Sequence, residues 1–331
     1  MPGIHFGFKV FFAESLETFV DDLRRARPTI FHSVPRLWLK FHERVSEKIP
    51  DARMRLLLKL PIVSGLVKKK ILTTLGLDAA RVALTGSAPV PAELVAWYQA
   101  LGLELLEGYG MTENFAYCTI SRPGRARPGL VGEAAPGVEL KVMENSELWT
   151  RSPGMMKGYH RQPELSAEVL DGEGWLRTGD QAEIDAQGYL RITGRVKELF
   201  KTSKGKYIAP IPAENIINAS GIAEQSCVMG VGLPQPFAVV MLGEGWRQRV
   251  VNEEGRREAE SGLRGLLEKV NGGVEAHERL SHFVVSSDEW TIPGGMLTPT
   301  MKIQRQAIEK RFGPKAETWA RSGQKVIWEA E

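Results

Sequence analysis

The first 125 residues alternate between helix-like and strand-like stretches. Residues 15–26 are predicted to be helical, the run from Pro28 to Val34 predicts a buried strand, and Pro35 is typical of the first turn of a helix. The pattern continues with predicted helices at 66–75 and 91–101, and predicted strands at 81–85 and 103–106. Alternation at this spacing predicts a parallel α/β sheet.

The pattern changes twice after this segment. From about residue 127 to residue 196, glycines and prolines recur between short apolar runs, which predicts a small antiparallel β subdomain. Beyond Arg195 the pattern predicts an α+β segment, with helices near 211–217 and 253–270, strands at 226–230 and 238–242, and a last helix after Lys302. We therefore expect an α/β protein with three parts, at residues 1–126, 127–196 and 197–331.

Composition excludes several classes of protein. The net charge of +3 over 331 residues is too small for a nucleic-acid binder that acts through bulk electrostatics. Two cysteines, Cys118 and Cys227, cannot form a disulfide framework or a zinc site. The sequence contains no run of 18 apolar residues, so it predicts no transmembrane helix. We expect a cytoplasmic protein, and a peripheral contact with the inner membrane surface stays open.

Two glycine-containing turns follow predicted strands of the sheet. The first lies before a helix, where open α/β sheets bind ligands, and glycines allow backbone N–H groups to approach a phosphate. A tight strand-to-helix turn is the alternative for this segment. The residues of the first turn proposed to bind nucleotide are Gly86, Ser87, Ala88 and Pro89.

The second turn, residues 108–113, is more specific than a lone Gly-x-Gly. Tyr109 is suited to face an adenine ring, Thr112 to donate to a phosphate, and Glu113 to hold Mg²⁺, which favours carboxylate oxygen. The residues of this turn predicted to bind nucleotide are Gly108, Tyr109, Gly110 and Met111.

A carboxylate and a guanidinium follow further along the chain. Asp180 comes after Thr178 and Gly179, and a carboxylate at a turn can accept from two ribose hydroxyls. Arg195 directly follows Gly194 and can donate to the same ribose or to a phosphate. For an isolated turn aspartate, a solvated structural role is the alternative.

In this order, these segments and residues 297–302 (Leu-Thr-Pro-Thr-Met-Lys) resemble the adenylate-forming acid–CoA ligases. Residues 34–38 (Val-Pro-Arg-Leu-Trp) and 205–210 (Gly-Lys-Tyr-Ile-Ala-Pro) resemble the long-chain fatty-acid branch. The resemblance implies a fold that is the C-terminal part of such a ligase: a parallel α/β subdomain, a small β subdomain and an α+β lid. It also implies that ATP, Mg²⁺, CoA and a fatty acid are bound, and that Asp180 and Arg195 form the ribose pair.

Lys302 has a chemical role in the implied reaction. Joining a carboxylate to the α-phosphate of ATP brings two anions together, at a cost of roughly 4 kcal/mol per charge pair at about 4 Å. Mg²⁺ at Glu113 and the ammonium of Lys302 would offset this repulsion. The alternative is one more exposed lysine in a chain with 43 lysines and arginines.

Other lid residues acquire roles only through the resemblance. Lys197 falls at the hinge between the main body and the lid, and Lys201 matches a lysine that serves thioester formation. Ser203, Lys204 and Gly205 would face the pantetheine channel. Lys204 stands where relatives often carry glycine, so the sequence of this channel departs from the family pattern and does not predict its geometry.

The family's Ser/Thr/Gly-rich phosphate loop, which ends in Pro-Lys-Gly, does not precede these motifs. We therefore expect either a truncated ligase or a split enzyme whose N-terminal half is a separate chain. A non-catalytic module that binds AMP, acyl-adenylate or CoA is the alternative function. A ligase for an aryl or amino acid is a third hypothesis, against which the sequence of residues 34–38 argues.

Overall fold

The computed structural model describes residues 7–15, 18–88, 90–299 and 301–329. The chain divides into two compact units. Unit 1 comprises residues 1–139, 152–157 and 185–190, and unit 2 comprises residues 140–151, 158–184 and 191–331. The three parts expected from the sequence have boundaries that differ from those of the two units, and that division stays a prediction.

Unit 1 is built on a five-stranded sheet with the order β1-β2-β3-β4-β5. The first three strands are parallel, and the last two are antiparallel additions. The elements in chain order are α1 (Phe19–Ala26), β1 (Ile30–Ser33), α2 (Pro35–Lys48), α3 (Asp51–Leu58), α4 (Pro61–Leu75), β2 (Val82–Thr85), α5 (Ala92–Ala100), β3 (Leu105–Tyr109), β4 (Thr119–Ile120) and β5 (Glu133–Ala134).

The core of unit 1 lies between the sheet and its helices. Trp38 of α2 and Tyr98 of α5 are fully buried with their rings edge to face, 4.9 Å apart. The Tyr98 hydroxyl donates to the Trp38 carbonyl oxygen at 2.8 Å. Because this bond joins two helices that are 60 residues apart in sequence, it fixes α2 against α5 while it satisfies a buried hydroxyl.

Unit 2 contains an antiparallel sheet followed by an α+β segment. Its strands form one sheet in the order β6-β7-β8-β9, a small β10-β11 hairpin, and a second sheet in the order β12-β13-β14-β15. The elements are β6 (Glu139–Val142), β7 (Glu147–Arg151), α6 (Pro163–Val169), β8 (Leu176–Ile184), β9 (Leu190–Arg195), β10 (Phe200–Lys201), β11 (Tyr207–Ile208), α7 (Pro210–Asn218), β12 (Ala223–Met229), β13 (Phe237–Leu242), α8 (Glu244–Arg249), α9 (Glu253–Gly273), β14 (Phe283–Val285), α10 (Arg305–Phe312), α11 (Ala316–Ser322) and β15 (Val326–Trp328).

The α/β class is confirmed, and several details of the elements differ, among them the helices α3, α6 and α8, which the sequence pattern did not indicate. The strand expected to be buried at 28–34 is half exposed, because β1 lies at the edge of its sheet and pairs with β2 alone among the described strands. The strand expected at 103–106 lies at Leu105–Tyr109, so it includes the first glycine of the second turn. The last sheet gains the short parallel strands β14 and β15, which the sequence pattern did not indicate.

Among the residues that the structure describes, no helix combines the length and the apolar composition needed to cross a membrane.

Candidate nucleotide and acyl-transfer site

The two glycine turns lie side by side at the carboxyl ends of β2 and β3. Thr85 and Glu107 are paired in register, and the turns follow directly. A Cβ on Gly86 would stand 3.0 Å from the Gly108 carbonyl oxygen, so a side chain there would force the two backbones apart. Ser87 has φ +72°, and Ser87 and Ala88 are exposed, whereas Pro89 lies outside the described residues. The structure therefore brings the two predicted phosphate turns together.

Backbone contacts fix the second turn as it leaves β3. The Asn114 side chain accepts from the Met111 N–H at 2.9 Å, and the Ala116 N–H donates to the Met111 carbonyl at 2.8 Å. A Cβ on Gly110 would meet the Ala116 backbone at 2.6 Å. Tyr109 and Met111 are half-buried. The chain thus folds back tightly on itself, and the glycine makes that fold possible.

Thr112 and Glu113 lie in the 3₁₀ turn Thr112–Asn114. Thr112 is exposed and Glu113 is half-buried. The Met156 N–H donates to the Glu113 carbonyl at 2.7 Å, which holds the backbone of the turn. A hydroxyl and a carboxylate on successive residues of a fixed turn are suited to donate to a phosphate and to hold its metal ion.

The residues at this turn fit Mg²⁺ only if ATP supplies further ligands. Across the described parts of the chain, no group of three or more His, Cys, Asp or Glu side chains is placed to hold a metal ion. Magnesium is usually bound by one or two carboxylates together with substrate phosphates and water. Glu113 fits that mode of binding, in which the metal arrives with the nucleotide.

Glu107 is a buried acid beneath the two turns that the sequence reasoning missed. It is 5% exposed, and burial raises the pKa of its carboxyl to about 8, although the Gly129 backbone N–H opposes that rise. Within the described residues, its Oε1 and the Oγ1 of Thr85 on the neighbouring strand have no hydrogen-bond partner. An acid directly after two leucines, in the middle of β3, was the signal in the sequence that could have indicated it. Glu107 therefore carries a proton at neutral pH.

Asp180 lies beside a bulge between β7 and β8. The register shifts between Glu147 and Trp149, opposite Gly179, which has φ +69° and donates its N–H to Glu147 at 3.1 Å. Thr178 donates to the Leu148 carbonyl at 2.7 Å. These contacts bury Thr178 and Asp180 on one face of β8, so the Thr-Gly-Asp motif sets a backbone conformation as well as a carboxylate.

Asp180 and Arg195 form an ion pair within unit 2. The Arg195 Nε donates to Asp180 Oδ1 at 2.7 Å. The carboxylate is 9% exposed, whereas the guanidinium is 53% exposed at the end of β9. The two residues that the resemblance assigns to the ribose are therefore in direct contact.

The segment after Arg195 holds the predicted hinge and channel residues. Lys197 is exposed in the 3₁₀ turn Val196–Glu198, and the β10–β11 hairpin follows. The Lys201 Nζ lies 5.5 Å from the centre of the Tyr207 ring. The exposed tip of this hairpin consists of Ser203, Lys204 and Gly205.

Lys302 lies in a second short hairpin. Leu297 and Ile303 form an antiparallel bridge, and the Thr298 N–H donates to the Lys302 carbonyl at 2.8 Å. The Lys302 N–H donates to the Thr298 hydroxyl at 3.1 Å. Met301 has φ +63°, and Lys302 is exposed. Lys302 is therefore exposed on a short hairpin in which Thr298 and Lys302 are joined by hydrogen bonds.

Arg305 is a second residue that the sequence reasoning missed. It begins α10, three residues after Lys302, yet its side chain is only 12% exposed. Its Nη2 donates to both carboxylate oxygens of Glu214, at 2.8 and 2.9 Å. Burial acts to lower the pKa of Arg305, but the Glu214 carboxylate outweighs it and the pKa is raised. A cation in the first turn of a helix is electrostatically unfavourable. The position of Arg305 at the start of a predicted helix was therefore the signal in the sequence that it has a specific partner.

The predicted site residues are divided between the two units. Unit 1 contains Gly86, Ser87, Ala88 and residues 108–113, whereas unit 2 contains Asp180, Arg195, Lys197, Lys201, Lys204 and Lys302. Within unit 1 the two turns adjoin, and within unit 2 Asp180 adjoins Arg195. The roles proposed for the individual residues stay predictions.

Two family models match the chain. Residues 1–160 match the family described as AMP-binding enzyme, and residues 198–319 match the AMP-binding enzyme C-terminal domain. Together they span both the glycine turns and the Lys302 hairpin.

The chain also matches curated relatives and a solved structure. It is 30% identical to the long-chain-fatty-acid–CoA ligase 5 of Mus musculus, over 91% of this chain and 50% of that protein. It is 27% identical to the long-chain-fatty-acid–CoA ligase FadD15 of Mycobacterium bovis, over 96% of this chain and 59% of that protein. The A-PCP didomain of the carboxylic acid reductase of Segniliparus rugosus, in complex with AMP, is similar in structure, with a TM-score of 0.74 and 25% identity over 94% of this chain and 44% of that one. The chain thus spans about half to three fifths of the length of these curated relatives.

Proposed function

The chain belongs to the AMP-binding enzyme family, and on that premise we propose that it supplies the C-terminal part of a long-chain fatty-acid–CoA ligase. In the first half-reaction, a fatty-acid carboxylate oxygen attacks the α-phosphorus of ATP, and pyrophosphate leaves. In the second, the sulfur of CoA attacks the acyl carbonyl carbon, and AMP leaves.

The observation that carries this proposal is the convergence of the two glycine turns, where a Cβ on Gly86 would stand only 3.0 Å from the Gly108 carbonyl oxygen. This arrangement exposes backbone at the carboxyl ends of parallel strands, where a nucleotide can approach closely. Thr112 donates to a phosphate, and Mg²⁺ held by Glu113 would offset phosphate charge when ATP is bound. Asp180 accepts from the ribose hydroxyls, and Arg195 donates beside it.

The lysines of the lid serve the two half-reactions in turn. Lys302 brings its ammonium to the carboxylate and the α-phosphate, whose mutual repulsion is roughly 4 kcal/mol per charge pair at about 4 Å. Lys201 serves thioester formation, and Ser203, Lys204 and Gly205 border the pantetheine. A backbone rotation at Lys197 replaces Lys302 with Lys201 at the reacting groups between the two half-reactions.

The test is fatty-acid-dependent release of pyrophosphate from magnesium-ATP by the 331-residue chain. We expect release that is abolished in Lys302→Ala and Asp180→Ala and retained in Lys310→Ala, an exposed lysine of α10. If the folded chain releases nothing, the assay is repeated with a separately expressed N-terminal part of a relative. Release only in the mixture would support a ligase divided between two chains.

A non-catalytic module is the second candidate, because the adenine, ribose and metal contacts need no turnover. AMP binding by calorimetry without pyrophosphate release, alone or in the mixture, would favour it. A panel of fatty, aryl and amino acids then decides the substrate class. The two relatives described above are long-chain-fatty-acid–CoA ligases, which favours a long-chain fatty acid.

A further inference from the structure

Arg305 joins the Lys302 hairpin to the body of the lid. Besides Glu214, it contacts β12, where its Nη1 donates to the Val228 carbonyl at 3.0 Å and lies 3.2 Å from the Cys227 sulfur. The Val228 N–H in turn donates to Glu214 Oε1 at 2.7 Å. One guanidinium thus ties α10, α7 and β12 together.

The hairpin depends on this attachment because Arg305 directly follows its last residues. Gln304 donates its backbone N–H to the Met296 carbonyl at 2.8 Å and its side-chain amide to the Leu297 carbonyl at 3.1 Å. Arg305 continues that anchor into the buried part of the lid. The described residues from 296 to 305 contain two charged side chains, Lys302 and Arg305. Lys302 is exposed, whereas the side chain of Arg305 is 12% exposed.

The same guanidinium also reaches the segment that follows the predicted hinge. Glu198 Oε2 lies 3.6 Å from Arg305 Nη2, and Glu198 is 31% exposed. Glu198 is the residue directly after Lys197 and ends the 3₁₀ turn. Arg305 is thus shared by two carboxylates, one in the body of the lid and one at its entry.

We propose that Arg305 is a positioning residue that holds the Lys302 hairpin and the residues after Lys197 in one rigid body. The lid then turns at Lys197, and the rotation carries Lys302 without loss of its geometry. The roles of Lys197 and Lys302 rest on the proposed function, whereas the rigid attachment rests on the contacts alone.

A purely stabilising ion pair would behave differently. Its loss would weaken the whole lid, including the central strand β13, whereas loss of a positioning contact loosens only the two attached segments. Replacing Arg305 alone leaves Glu214 buried and unpaired, which is strongly destabilising and could unfold the lid. Replacing Arg305 with methionine and Glu214 with glutamine removes both charges, and the glutamine carbonyl can still accept from the Val228 N–H.

The experiment is hydrogen–deuterium exchange of the intact chain, followed in peptides that cover 196–200, 296–304 and 237–242. The variants are the double replacement Arg305→Met with Glu214→Gln, the single replacement Glu198→Gln, and the control Glu253→Gln, an exposed acid of α9 that pairs with Arg257.

We expect the double replacement to speed exchange on the order of tenfold in both 196–200 and 296–304, with β13 unchanged. Glu198→Gln should speed exchange in 196–200 alone, and Glu253→Gln in neither. Faster exchange that also includes β13, or that leaves 196–200 or 296–304 unaffected in the double variant, would overturn the proposal. So would a Glu198→Gln chain that behaves like the wild type.

Exchange requires no turnover, so this result and the ligase assay are independent. A chain without pyrophosphate release would count against the proposed function, while the exchange pattern would still decide the role of Arg305. Where turnover is measurable, the double variant should lower kcat and leave KM for ATP unchanged. A higher KM for ATP with an unchanged kcat would place Arg305 in nucleotide binding and overturn the positioning role.

Discussion

Arg195 donates a 2.7 Å hydrogen bond to Asp180, and the two partners differ sharply in exposure. The carboxylate is nearly buried, whereas half of the guanidinium side chain remains in contact with solvent. The buried partner is therefore the one whose geometry is fixed by the sheet, and the exposed partner is the one that can move toward a ligand.

Asp180→Asn is expected to weaken AMP binding by roughly tenfold to a hundredfold. Asparagine keeps an acceptor for Arg195, but it loses the charged acceptor for ribose, and hydrogen bonds to charged groups contribute about 1.5–3 kcal/mol. Calorimetric titration with AMP measures the loss. Glu183→Gln, an exposed acid on the same strand, is the matched control and should bind as the wild type does. Equal affinities for all three proteins would remove Asp180 from the nucleotide site.

Glu107→Gln is expected to remove a pH dependence of stability. The pKa of the carboxyl is about 8 in the folded chain and near its ordinary 4.5 in the unfolded one, so the folded state holds a proton that the unfolded state loses. The stabilisation is complete below pH 4.5 and is lost as pH rises through 8, a difference on the order of a few kcal/mol. Urea unfolding at several pH values should show the wild type falling toward the alkaline side and the variant falling less. Parallel curves would contradict the shift.

Gly110→Ala is expected to destabilise the turn that carries Thr112 and Glu113. The added Cβ would meet the Ala116 backbone at 2.6 Å, and strain of this kind costs about 1–3 kcal/mol. Gly65→Ala is the control, because Gly65 lies in α4 with nothing within 4 Å and helix propensity favours alanine by about 1 kcal/mol. Thermal unfolding should therefore shift in opposite directions in the two variants. A neutral Gly110→Ala would mean that the turn relaxes easily.

Tyr98→Phe is expected to lower the free energy of unfolding by about 1–3 kcal/mol. The change leaves the Trp38 carbonyl without the hydroxyl that donates to it at 2.8 Å, while the edge-to-face packing of the rings is retained. Tyr117→Phe provides the comparison, since its hydroxyl donates to the Pro136 carbonyl at 3.2 Å from a residue that is 42% exposed. Denaturant titration should find a much smaller loss there. Similar losses in both would indicate that burial does not set the cost.

Local pattern was sufficient for much of the fold of unit 1. Pro35 begins α2, Gly76 ends α4 with φ +74°, and the glycines at 86 and 108 lie at the strand ends that the alternation indicated. These features depend on a few neighbouring residues, so a single sequence is enough to read them.

Features that depend on distant partners could not be predicted in this way. The exposure of β1 depends on its place at the edge of the sheet, and strands β14 and β15 are stabilised by pairing with β13 and with each other. Arg305 meets Glu214 across 91 residues, and nothing near either residue indicates the other. The proton on Glu107 likewise follows from burial, which a sequence pattern does not measure.

The bulge at Gly179 also fixes the register in which β7 and β8 pair. Side chains alternate between faces along a strand, so a slip of one residue in β8 would turn Asp180 to the opposite face of the sheet. The positive φ of Gly179 and its bond to Glu147 make that slip costly. Changes in the length of the neighbouring loops are therefore absorbed outside the strand, and the Asp180 carboxylate stays on the same face of the sheet.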